Sequence, residues 1–71
     1  MTNDGVPNRL KLARFERDLT QADLADLVGV TRQTIGLIEG GSYNPTLNLC
    51  SRLARATGKT LDELFWNQGE T

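Results

Sequence analysis

Three consecutive hydrogen-bonding side chains stand in the middle of the chain, at Arg32, Gln33 and Thr34. A glutamine carboxamide can form a bidentate pair with an adenine edge, and an arginine guanidinium can bind guanine or a phosphate. The chemistry that these residue types offer is recognition by hydrogen bonds, with nucleic-acid bases as the natural targets.

These residues fall at the start of a predicted helix that runs from a capping Thr31 to about Glu39. Successive residues of an α-helix are turned by roughly 100°, so Ile35 and Ile38 point inward. The residues that point outward or flank the outward side form a candidate reading face: Arg32, Gln33, Thr34, Gly36 and Leu37. The alternative is a solvated surface on a plain helical bundle, because such a bundle would use the same apolar positions.

The segment 21–40 has the spacing of two helices joined by a short turn, which is typical of a helix-turn-helix. Ala25 supplies the small side chain needed where the two helices cross, and Gly29 supplies a residue that adopts positive φ without steric cost. Apolar residues stand where the inner faces must meet: Leu24, Val28, Val30, Ile35 and Ile38.

Helix start and stop signals predict five short helices and no strand. Their approximate ranges are 8–17, 20–28, 31–39, 46–57 and 60–65. Leu27 is expected on the inward face of the second helix, and Asp18 is expected to take the left-handed turn after the first. The predicted fold is a compact all-α bundle, with one domain at 6–66 and flexible ends at 1–5 and 67–71.

The composition excludes several classes of protein. The 71 residues include no histidine and one cysteine, Cys50, so no disulfide within the chain and no zinc site is expected. We predict no catalytic residue, no cofactor, no small-molecule ligand and no membrane partner, and we expect a cytoplasmic protein. The net charge of -1 is unusual for a nucleic-acid binder, so that interpretation depends on the motif and not on the charge.

The chain resembles the Xre-type, or lambda-repressor-like, helix-turn-helix regulators over roughly residues 7–66. The matching residues are Asn8-Arg9-Leu10, Arg14, Leu19-Thr20-Gln21, Leu24-Ala25, Val28-Gly29-Val30, Thr31-Arg32-Gln33-Thr34-Ile35, Ile38-Glu39, Gly41, Tyr43-Asn44-Pro45 and Leu61-Asp62-Glu63-Leu64-Phe65.

This resemblance implies a sequence-specific regulator of transcription, a repressor, that binds an operator in double-stranded DNA through the major groove. It implies that the reading face contacts bases. Phosphate contacts are expected from Gln21, Thr31, Gly41, Ser42, Tyr43 and Asn44. Gln21 would bind at the start of the second helix, and the loop after the third helix would offer backbone N–H groups.

The resemblance also implies a partly buried ion pair between Arg14 and Glu39, the alternative being two solvated surface charges. Gly36 and Leu37 depart from the polar residues that relatives often carry at their positions. They would either allow close approach to DNA and contact with a thymine methyl group, or provide fewer base contacts and modest specificity.

Relatives commonly pair as twofold dimers, and we expect a homodimer. Two aromatic residues at the end of the last helix, Phe65 and Trp66, are the predicted interface, the alternative being that Trp66 folds back over its own core. A second possible function is that of an antitoxin or protein-interaction module with the same fold.

Overall fold

The computed structural model describes residues 8–65, which form five α-helices and no strand. The helices are α1 (Leu10–Glu16), α2 (Gln21–Val28), α3 (Arg32–Glu39), α4 (Leu47–Thr57) and α5 (Leu61–Phe65). All five predicted helices are present, and their ends lie within two residues of the predicted ones. The all-α prediction is confirmed.

Threonine caps begin four of the helices. Thr20, Thr31 and Thr46 each accept a hydrogen bond from the backbone N–H three residues later, which satisfies a donor that the first helical turn leaves without a partner. Thr60 does the same for Glu63 before α5, at 3.1 Å. The hydroxyl side chains therefore set where α2 to α5 begin.

Two of these caps are reciprocal. The Asp23 carboxylate accepts from the Thr20 N–H at 3.0 Å, and the Glu63 carboxylate accepts from the Thr60 N–H at 2.8 Å. These backbone hydrogen bonds hold the pKa of each carboxyl group below its usual value. The charged carboxylate is the form that each cap uses.

The predicted turn residues have the backbone angles that the turns require. Asp18 follows α1 with φ 57° and Gly29 follows α2 with φ 80°, both in the left-handed region. Gly29 donates its N–H to the carbonyl of Ala25 at 2.8 Å, which closes the last turn of α2.

The core is a continuous apolar cluster with contributions from every helix: Leu10, Ala13, Leu24, Ala25, Val28, Ile35, Ile38, Leu49, Leu53, Ala54 and Leu64. The expectation that Leu27 belongs to it is wrong, because 61% of its surface is exposed. Leu27 lies about 100° around the helix from the centre of the stripe that Leu24, Ala25 and Val28 make. Such a position at the edge of the stripe can point either way.

The packing order places α3 at one side of the bundle. α2 packs on both α3 and α4, α1 packs on α3 and α5, and α4 packs on α5. The Arg9 N–H also donates to the carbonyl of Leu64 at 2.8 Å, which joins the start of α1 to α5. α3 is thus supported from behind by α1 and α2.

Candidate nucleic-acid interface

The outward side of α3 is accessible to a ligand. Arg32 and Gln33 are exposed, Thr34 and Gly36 are half-buried, and Leu37 is 41% exposed. The opposite side is fixed in the core, with Ile35 and Ile38 almost completely buried. All five predicted residues of the reading face therefore lie on one helix with an apolar anchor behind it.

The first turn of α3 is ordered by a pair of hydroxyl groups. Thr31 Oγ1 accepts the backbone N–H of Thr34 at 3.2 Å, and the two threonine hydroxyl oxygens are 2.9 Å apart. Both side chains are thereby oriented at the N-terminal end of α3. Two exposed side chains, Arg32 and Gln33, lie between them.

Arg14 and Glu39 form a buried, two-point ion pair. Arg14 Nε donates to Glu39 Oε2 at 2.7 Å and Nη2 donates to Oε1 at 3.2 Å, with side chains only 7% and 6% exposed. Arg14 Nη1 also donates to the carbonyl of Leu19 at 2.9 Å. The guanidinium carbon of Arg14 lies over the Phe15 ring, 4.8 Å from its centroid. The pair joins α1 to the end of α3 and is not the solvated alternative.

Gln21, the first residue of α2, contacts the same carboxylate. Its Nε2 donates to Glu39 Oε1 at 3.1 Å, so Glu39 fixes the direction of the carboxamide. The carboxamide nitrogen carries two hydrogens, and within residues 8–65 one of them is donated to Glu39. The sequence did not predict this link.

Gly36 lies beside this carboxamide. A Cβ built on Gly36 would stand 3.6 Å from Gln21 Nε2, an ordinary contact distance. The fold itself therefore has room for a larger residue at this position on the reading face.

The loop after α3 differs from the expectation in one respect. The Gly41 N–H donates to the carbonyl of Ile38 at 3.0 Å and the Ser42 N–H donates to Leu37 at 2.9 Å. These two amides close the end of α3, so they are not the phosphate donors that the sequence predicted. Ser42, Tyr43 and Asn44 are exposed residues of the loop.

The predicted dimer residues fall at the edge of the described structure. Phe65 is half-buried against the core and lines a small cavity with Cys50 and Pro45. Burial raises the pKa of the Cys50 thiol. Trp66 lies outside the described residues.

Two further contacts escaped the sequence reasoning. Asn8 Nδ2 donates to the carbonyl of Ile38 at 2.8 Å, and Arg52 Nη1 donates to the carbonyl of Val28 at 2.7 Å. Each joins a side chain to the end of a helix that is distant in sequence, and no local pattern signals such a pairing.

Residues 8–65 contain no helix long and apolar enough to cross a membrane. In the same range, no group of three or more His, Cys, Asp or Glu residues is placed to hold a metal ion.

The paired helices α2 and α3, with α3 exposed along one side, define a helix-turn-helix DNA-binding fold. The chain belongs to the helix-turn-helix family, whose model matches residues 10–64, and it is a transcriptional regulator of the Xre-like type. The family is one of DNA-binding regulators and not of enzymes.

Relatives in sequence and structure agree with this assignment. An uncharacterised HTH-type transcriptional regulator of Methanocaldococcus jannaschii is 45% identical over 60 residues, which cover 84% of this chain and 91% of the relative. The immunity repressor protein of Bacillus phage phi105 is 40% identical over 53 residues, which cover 75% of this chain and 37% of the repressor. The crystal structure of the restriction-modification controller protein C.AhdI from Aeromonas hydrophila matches with a TM-score of 0.74 and 37% identity, covering 80% of this chain and 86% of that one.

Proposed function

We propose that the protein binds an operator in double-stranded DNA as a homodimer and represses transcription there. The observation that carries the proposal is the reading face, which residues 8–65 leave accessible while Ile35 and Ile38 fix the helix from behind. Similarity to a phage immunity repressor favours repression. The protein would act in the cytoplasm, with the DNA it binds.

In this proposal α3 lies in the major groove and its first turn meets the base edges. Gln33 would pair with an adenine and Arg32 would bind a guanine. Thr34 would add a hydroxyl contact, and Leu37 would pack on a thymine methyl group beside Gly36. The exposure of Arg32, Gln33 and Leu37 supports these roles.

Phosphate contacts would flank the reading face. The carboxamide of Gln21 would donate its second hydrogen to a phosphate at the start of α2, where the helix dipole also favours an anion. Thr31 and the side chains of Ser42, Tyr43 and Asn44 would supply further contacts. Gly41, with φ 79°, would shape the loop and not donate to the phosphate.

The distribution of charge is compatible with DNA binding. All eight basic residues of the chain but only seven of its nine acidic ones lie between residues 8 and 65. The excess of acidic groups therefore comes from Asp4 and Glu70, outside the predicted contact surface. Neutral donors would carry much of the phosphate binding, since hydrogen bonds to phosphate do not require a cation.

The test is selection from a pool of random duplexes, followed by binding measurements on the selected site and on a scrambled duplex. We expect a site made of two half-sites about 34 Å apart, as a twofold dimer requires. Gln33→Ala should reduce the preference for the selected site, whereas Gln21→Ala should weaken binding to both duplexes. Arg32→Ala removes an exposed cation from the reading face. Arg55→Ala, which removes an exposed cation from α4, is its matched control.

Sedimentation of the free protein tests the dimer separately. We expect a dimer at tens of micromolar, and Phe65→Ala should weaken it. A monomer at that concentration would contradict the dimer. Failure to select any site would contradict the proposed function as a whole.

A further inference from the structure

The C-terminus of α2 is tied to α4 by one arginine. Arg52 Nη1 donates to the carbonyl of Val28, the last residue of α2, at 2.7 Å. Arg52 Nε donates to Asn48 Oδ1 at 3.3 Å on its own helix. A Cβ built on Gly29 would stand 3.4 Å from Nη1, so the guanidinium lies directly against the turn that follows Val28.

This contact supplies a donor to a carbonyl that the helix itself leaves without a partner. The last four carbonyls of an α-helix have no N–H donor within the helix. The Ala25 carbonyl accepts from the N–H groups of Gly29 and Val30, at 2.8 and 3.0 Å. The Val28 carbonyl accepts its hydrogen bond from Arg52. The positive charge of Arg52 also lies at the negative end of the helix dipole.

The turn that Arg52 contacts sets the position of α3. The N-cap of α3 is Thr31, only three residues after Val28. α4 packs on α2 and α5, whereas α3 packs on α2 and α1. The bond from Arg52 to Val28 therefore connects α4 to the start of α3 through this turn.

Arg52 is not placed to contact DNA in the manner proposed for Gln21. Val28 and Gln21 are at opposite ends of α2, about 10 Å apart along the helix axis. The side chain of Arg52 lies at the C-terminal end of α2, where its guanidinium donates to the backbone carbonyl of Val28.

We propose that Arg52 is a positioning residue for base reading: by holding the Val28 carbonyl and the turn at Gly29, it fixes the direction in which α3 leaves α2. Recognition by side chains requires placement to within about 0.5 Å, so a looser turn weakens base contacts more than phosphate contacts. This inference rests on the proposed function in its DNA-binding step but not in its structural step.

The structural step is tested without DNA, by backbone amide hydrogen exchange in the free protein. Arg52→Gln should raise the exchange of the Gly29 and Val30 amides about tenfold relative to amides in the middle of α4, corresponding to about 1.4 kcal/mol. Arg55→Gln removes the same charge from the same helix without touching the turn and should leave the ratio unchanged. Asn48→Ala, which keeps the guanidinium but removes its second anchor, should give a smaller change in the same direction.

The functional step is tested by the ratio of affinities for the selected site and a scrambled duplex, measured well below the unfolding midpoint of every variant. Arg52→Gln should reduce this ratio about tenfold, while its affinity for the scrambled duplex should equal that of Arg55→Gln. A purely structural role would lower the midpoint and leave the ratio unchanged.

Unchanged exchange at Gly29 and Val30 in Arg52→Gln would overturn the inference at its first step. Raised exchange with an unchanged affinity ratio would overturn the positioning role. If the wild-type protein selects no DNA site, the proposed function fails, and the exchange measurement still decides whether Arg52 fixes the turn.

Discussion

Removal of the Glu39 carboxylate by Glu39→Leu tests the arrangement that supports α3. Glu39 accepts three hydrogen bonds, from Nε and Nη2 of Arg14 and from Nε2 of Gln21. The substitution leaves the Arg14 guanidinium in a site where the side chain is 7% exposed. Its remaining acceptor in that cluster is the Leu19 carbonyl.

The expected loss of stability is about 3–5 kcal/mol, since breaking a buried ion pair leaves an uncompensated charge. A chain of 71 residues has a total free energy of unfolding of about 4–11 kcal/mol, from the usual range per residue. The loss corresponds to a fall in Tm of at least about 12 °C for a domain of this size.

A double-mutant cycle with Arg14→Met separates the ion pair from its surroundings. Arg14→Met should cost as much as Glu39→Leu, but the double variant should lose only about 1–3 kcal/mol, because the unsatisfied Leu19 carbonyl remains while no charge is stranded. The coupling, which is the sum of the two single losses minus the loss in the double variant, should therefore be at least about 3 kcal/mol. Urea denaturation followed by circular dichroism measures all four proteins.

The ion pair between Lys59 and Glu16, with nitrogen and oxygen 2.9 Å apart and side chains 31% and 59% exposed, is the control for a pair nearer the surface. Lys59→Met should leave the unfolding midpoint essentially unchanged, because exposed pairs contribute little. Additive losses in the Arg14 and Glu39 cycle, or single losses no larger than that of the control, would refute the reasoning.

Three further predictions concern other parts of the chain. Gly36→Ala should stabilise the fold by about 1 kcal/mol, because its Cβ makes only an ordinary contact with Gln21; a lower Tm would contradict this. If the same variant also binds the selected site more weakly, close approach of DNA at this position is supported, whereas unchanged binding favours fewer base contacts. The Cys50 thiol, whose pKa burial raises, should react with a disulfide reagent at neutral pH more slowly in the folded protein than in urea, and equal rates would refute it. Because the caps lower the pKa of Asp23 and Glu63, their contribution to stability is complete at neutral pH and is lost as the pH falls through and below about 4; Asp23→Asn with Glu63→Gln should flatten that part of the stability profile, and an unchanged profile would count against it.

The parts of the fold that local chemistry determines were predictable from the sequence. A threonine cap acts on an N–H three residues away, so Thr20, Thr31, Thr46 and Thr60 located the starts of their helices. Asp18 and Gly29 located two ends in the same way. The Arg14–Glu39 pair, in contrast, was expected only from the family resemblance.

Contacts between distant residues were not predictable. Arg52 meets Val28 across 24 residues and Asn8 meets Ile38 across 30, and both bind backbone carbonyls, which every residue has. Periodicity also failed at Leu27, because a position at the edge of an apolar stripe is decided by the neighbouring helix. The loop amides of Gly41 and Ser42 were misassigned because closure of α3 uses them first.

The carboxylate of Glu39 has a consequence for protein engineering. Its partner Arg14 lies in α1, outside the segment 21–40. A peptide that contains only this segment would therefore lack the counterion of Glu39. Transplanting the segment into another scaffold would require the host to supply an equivalent cation. Altering the target sequence by exchanging residues 32, 33 and 37 should be far better tolerated, because those side chains are exposed whereas the anchors Ile35 and Ile38 are buried.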